Sequence, residues 1–110
     1  MRKVFIVSCH VKGLENSIMP KEVEGAYVSC YSQGIDYDMA VKNILEKLAN
    51  DGLYLEEILE PLHEMDVASW DEHINEMWPD HINSLPSQSE FSQAIADNKV
   101  IYGPFGTYGS

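Results

Sequence analysis

Positive charge is what this chain has least of: seven lysine and arginine side chains stand against eighteen aspartates and glutamates, a formal net charge of −11 at pH 7. A nucleic-acid surface neutralises phosphates with lysine and arginine, so direct nucleic-acid binding is disfavoured. Long apolar runs are missing as well. The patch Val4 to Val7 is bounded by Lys3 and Ser8, far short of the eighteen or more residues of a membrane helix, so no membrane partner is expected. That patch is also shorter than the apolar core of a secretion signal, which makes a cytoplasmic location the expectation. Cysteine is scarce: Cys9 and Cys30 both fall in strand-like segments, as two small buried thiols of a reducing compartment would.

Motifs for chemistry are absent too. There is no GxSxG, no HExxH, no paired CxxC and no glycine loop that opens a helix, since Gly103, Gly106 and Gly109 only follow a strand. Ser69, Ser87 and Ser89 stand where helix caps explain them. A hydrolase or nucleotide-dependent enzyme has no support here; no catalytic residue is assigned and no cofactor is expected.

What the chain does have is a concentrated block of acid. Residues 1–45 balance five basic against five acidic side chains, whereas residues 46–80 carry eleven acids against Lys47 alone. Gathered on one face, these carboxylates would draw in a cationic protein and raise its encounter rate. Scattered, they would only keep the chain soluble.

The periodicities place elements under that charge. Lys3 to Lys12 alternates, with Phe5, Val7, Cys9 and Val11 on one side and Val4, Ile6, Ser8 and His10 on the other, which predicts a strand. Gly13 to Glu24 has no period and predicts a loop that packs Leu14, Ile18 and Met19 on the body. A second strand spans Gly25 to Gln33, with Tyr27 and Tyr31 on the face opposite Val28 and Cys30. Asp36 caps a helix bearing Val41, Ile44, Leu45 and Leu48, stopped at Asn50, Asp51 and Gly52. A third strand runs from Leu53 to Glu60, where Pro61 limits it. Ser69 to Glu72 spells a capping box for a helix with Ile74, Met77 and Trp78, and Ser87 to Glu90 spells another for a helix with Phe91, Ala94 and Ile95. Lys99 to Tyr102 closes the series as a strand, followed by an irregular tail.

The fold class that follows is α+β: a roughly four-stranded, mostly antiparallel sheet with two to three helices on one face, in a single domain over residues 1–110. The nearest named arrangement is a variant of the ferredoxin-like sandwich, lacking a helix between the first two strands; this is an analogy of architecture only.

Two functional expectations emerge. The first is a non-enzymatic module that docks a basic protein, of the inhibitor or immunity kind that neutralises a cationic toxin or nuclease. Its surface would be Glu56, Glu57, Glu60, Glu64, Asp71, Glu72, Glu76 and Asp80, with Trp70 or Trp78 as an anchor. The second is a homodimer that binds a small molecule on the sheet face bearing His10, Tyr27 and Tyr31. No metal is expected; the nearest approach to a ligand set is His73, Glu76 and Asp80, spaced to share a helix face.

Overall fold

Alternation in the first two strands builds the centre of the sheet. The computed structural model describes residues 3–14, 17–18 and 23–108, without the side chains of Glu60 and Pro61. Strand β1 (Lys3–Gly13) pairs antiparallel with β2 (Gly25–Gln33) in unbroken register, from Val4 opposite Gln33 to Val11 opposite Ala26. Helix α1 (Tyr37–Asn50) follows, and β3 (Leu53–Asp66) adds to the other side of β1, also antiparallel. After α2 (Trp70–Met77) and α3 (Gln88–Ala96), two short strands, β4 (Ile101–Tyr102) and β5 (Gly106–Tyr108), both join the far edge of β2. The order across the antiparallel sheet is β3-β1-β2-β4, with β5 also on β2.

Helix α1 forms as its cap and stripe predict. The Met39 N–H donates to the Asp36 carboxylate at 3.0 Å, and Ala40, Ile44 and Leu48 are buried along one stripe. Ile44 and Leu48 pack on Val7, Cys9, Val11, Ala26, Val28 and Cys30. Leu45, expected on that stripe, stays exposed. The helix ends in Gly52 at φ 71°, a left-handed conformation open to glycine without steric cost.

The expectation of helices on one face is corrected. Val4, Tyr31, Trp70, Ile74, Phe91 and Ile95 form a second core, so α2 and α3 cover one end of the face opposite α1. The reason lies in β1 and β2 themselves: Val4, Ile6 and Tyr31 make the second face apolar at that end, and a half-apolar sheet face requires a cover.

Other boundaries differ from the pattern for identifiable reasons. Strand β3 does not stop at Pro61 but runs to Asp66. Its register jumps from Ser8–Leu59 to Ile6–His63, leaving residues 60–62 opposite Val7 alone, and such a bulge on an edge strand tolerates a residue without an N–H. Leu14 and Ile18 are 53% and 58% exposed rather than packed on the body, and Met19 lies outside the described residues. The tail is not wholly irregular: β5 pairs Tyr108 with Gly25, and the Gly103 N–H donates to the Ser29 carbonyl at 2.8 Å.

Candidate functional site

The acidic residues divide by element. On β3, Glu56 lies 3.5 Å from Lys12 Nζ and Glu64 2.9 Å from Lys3 Nζ, so the neighbouring strand neutralises part of that charge. Glu57 sits opposite His10, with 3.9 Å between carboxylate and Nδ1. Asp51 is held within the fold: Lys47 approaches it at 3.1 Å and the Tyr102 hydroxyl donates to it at 2.7 Å. Burial and this carboxylate together push the Tyr102 phenol far above its ordinary value.

The acids of α2 and the turn after it differ. Asp71, Glu72, Glu76 and Asp80 are exposed, and no lysine or arginine among the described residues pairs with any of them. Glu72 and Glu76, four residues apart, line a shallow hollow with Met65, Ser69 and His73, so the free acids of α2 border the end of β3. Glu60, the remaining member of the expected surface, has its side chain outside the described residues.

The two tryptophans have different fates. Trp70 is fully buried in the second core, stacked on Phe91 at 4.0 Å between ring centroids, which removes it as a partner anchor. Trp78 is half-buried at the margin of that core.

The residues of the expected ligand or dimer face also separate. Tyr31 is fully buried beneath α2, so it offers nothing to a partner. Its hydroxyl accepts from Trp78 Nε1 at 3.1 Å and meets His73 Nε2 at 2.7 Å. With the indole donating, the phenol proton is available for His73, which is the arrangement of a neutral imidazole accepting through Nε2. Burial chiefly, with His63 adding, holds His73 below the ordinary imidazole value, against the pull of Glu76. At the other end of the same face, His10 stacks under Tyr27 at 4.7 Å and is hydrogen-bonded through Nε2 to the Tyr108 hydroxyl. Tyr27 itself is 48% exposed.

The candidate ligands His73, Glu76 and Asp80 fall on two elements. Helix α2 ends at Met77 and Pro79 starts a 3₁₀ turn, so Asp80 does not continue the His73–Glu76 face, and His73 Nε2 is engaged by Tyr31. No group of three or more histidine, cysteine, aspartate or glutamate side chains converges on a cation position among the described residues.

The cysteines are free and buried in the first core. Hydrogen bonding with Cys9 and then burial hold the Cys30 thiol well above the ordinary range, the opposite of what a reactive thiolate needs.

Sequence reasoning missed Tyr108, because its tail has no strand period, and missed the cooperation of Trp78 with Tyr31, which unites positions 47 residues apart. No helix among the described residues is long and apolar enough to cross a membrane. Set against known protein families, curated proteins and solved structures, the chain finds no match.

Proposed function

We propose that this chain is a non-enzymatic protein-binding module whose acidic flank, formed by α2, the turn after it and the adjoining edge strand β3, docks a basic protein. The observation that carries the reading is that Asp71, Glu72, Glu76 and Asp80 on α2 and its turn pair with no lysine or arginine among the described residues, in contrast to the lysine-paired Glu56 and Glu64 of β3. Free carboxylates on a rigid helix give a directed negative field, which steers a cationic partner and penalises wrong ones. An inhibitor or immunity-type role toward a cationic toxin or nuclease is the form of binding this surface suits best. Trp78, half-buried beside the acids, is the aromatic anchor that remains once Trp70 is assigned to the core.

We read the architecture as a variant of the ferredoxin-like sandwich. Helix α1 carries the chain from β2 across β1 to β3, as in that fold, while the opening hairpin and the helices on the second face depart from it. A homodimer through the sheet face draws less support, because α2 and α3 cover half of that face.

The test is co-purification with the product of a neighbouring gene at low and at moderate salt. Charge reversal of Asp71, Glu72 and Glu76 to lysine should abolish capture of a basic partner, and the wild-type complex should weaken as salt rises. Capture that survives both changes would remove the acidic flank as the docking surface.

A further inference from the structure

We propose that the uncovered half of the sheet's second face is a binding site for a small organic cation, one carrying a quaternary or alkylated ammonium group. This site shares Trp78 with the proposed anchor of the acidic flank but is lined by none of the flank's carboxylates.

The site begins in the strand register. Ser8 of β1 lies directly opposite Ser29 of β2, between the Ile6–Tyr31 rung, which the α2 layer covers, and the His10–Tyr27 rung, which stands beside the tail. Two serines at positions where a strand usually sets bulky side chains leave a gap in an otherwise filled face. That gap is a hollow of about 360 Å³, walled by Tyr27, Trp78 and Phe105, with His81 at its rim. Its size falls in the range of small-ligand sites, from about 300 Å³ upward.

Each aromatic wall is braced from behind. Tyr27 stacks on His10 at 4.7 Å, and His10 is in turn hydrogen-bonded to Tyr108. Trp78 is fixed by the bond from its Nε1 to the buried Tyr31 hydroxyl. Phe105 meets Tyr102 edge-on at 5.3 Å, and Tyr102 is anchored on Asp51. Walls held in this way lose little freedom when a ligand enters, which removes one of the costs of binding. The Tyr108 anchor is itself tight: a Cβ at Gly25 would meet the Tyr108 phenol and lie 2.9 Å from the Val11 carbonyl oxygen, so a larger residue there would force a shift.

The chemistry of the hollow selects a cation. Aromatic rings that line one space attract a positive group through the quadrupoles of the faces they present to it, most strongly when water is excluded. No lysine or arginine among the described residues lines the space, and Glu57 sits one rung away opposite His10. The chain as a whole carries −11, which opposes an anion and favours a cation. The Ser8 and Ser29 hydroxyls make no hydrogen bond to the described residues and are available to a hydroxyl or N–H elsewhere on the ligand, since a quaternary ammonium itself donates none.

The experiment is a titration of the full chain with choline, with Nε-trimethyllysine, and with 3,3-dimethylbutanol, which has the shape of choline without its charge, followed by NMR. Choline and trimethyllysine should shift the Trp78 indole N–H and the Ser8 and Ser29 amides while leaving the buried Trp70 indole in place. The stronger of the two tells whether the group comes from a free small molecule or from a modified protein side chain. The uncharged alcohol should bind about tenfold more weakly, and Phe105→Leu should weaken choline about three- to tenfold. Far-UV circular dichroism identifies a variant that fails to fold, and Tyr27→Leu then serves in its place. Equal affinity for the alcohol and choline overturns the assignment, as does the absence of shifts at millimolar choline in the wild-type chain.

Discussion

The two faces of the sheet are made of different materials. Facing α1, the inward residues of β1 and β2 are chiefly valines, alanine and thiols, with one buried hydroxyl, Ser32, that accepts from Asn43 Nδ2 of α1 at 3.2 Å. Facing α2 and α3, the core is aromatic, and its polar atoms are individually met: Trp70 Nε1 donates to the Pro86 carbonyl at 2.8 Å, and Tyr31 joins Trp78 to His73. An aliphatic layer can be filled by shape alone. An aromatic layer with polar handles requires a partner for each handle, which fixes ring orientation and leaves a margin where the pattern ends. The hollow over Ser8 and Ser29 lies at that margin.

Removing the centre of the aromatic layer should break the comparison most severely. Trp70→Ala deletes the ring that stacks on Phe91 and stands edge-on to Tyr31 at 5.0 Å, and should cost about 3–5 kcal/mol in urea-induced unfolding. The prediction fails if the loss is within about 1 kcal/mol, the size expected for an exposed ring.

A finer cut removes only the hydroxyl. Tyr31→Phe leaves the Trp78 N–H and the His73 ring nitrogen without their common partner in a buried place, and should cost about 1–3 kcal/mol. The same network sets a pH dependence. His73 in the folded chain takes a proton less readily than the ordinary imidazole value of 6.5, so the unfolded chain protonates first. Its contribution to stability is full above that value and declines as pH falls through it toward the lower folded value. His73→Gln should flatten this decline in urea midpoints measured between neutral and mildly acid pH; an unchanged slope would show that other groups carry it.

The aliphatic face offers the counterpart. Ile44→Val on α1 removes one methylene from a fully buried site and should cost about 0.5–1.5 kcal/mol, with no pH dependence of its own. A pH-dependent loss there would mean that the two layers are coupled through the sheet.

What the sequence made legible follows the same division. The period of two in β1 and β2, the Asp36 cap with its stripe, and the Ser87–Glu90 capping box are local signals, and the structure carries each of them, the last with both of its reciprocal hydrogen bonds. Features that depend on distant partners were not legible. Pro61 reads as a stop until β1 supplies the strand on which a bulge can absorb it, and Gly106–Tyr108 has no strand period until the edge of β2 pairs with it. Tyr31 reads as a surface residue because Ser29 and Gln33 share its side of the strand, whereas His73 and Trp78, which bury it, come more than forty positions later. Charge position was legible but charge pairing was not, since Lys3 finds Glu64 across 61 positions.

The smallest effect separates two serines that look alike in sequence. Ser87 caps α3, its Oγ accepting from the Glu90 N–H at 3.2 Å, whereas Ser69 precedes α2 and makes no such bond. The first turn of α2 is satisfied instead from the neighbouring helix: the Asp71 N–H donates to Gln88 Oε1 at 3.0 Å, while Gln88 Nε2 donates to the Val67 carbonyl at 2.8 Å. One glutamine therefore ties the start of α3 to the start of α2, doing across a helix pair what a cap does within one. Gln88→Ala should cost about 0.5–1.5 kcal/mol and Ser69→Ala less than about 0.5 kcal/mol. Equal losses, or the larger one at Ser69, would mean that α2 is capped locally after all and that the aromatic layer owes its orientation to packing alone.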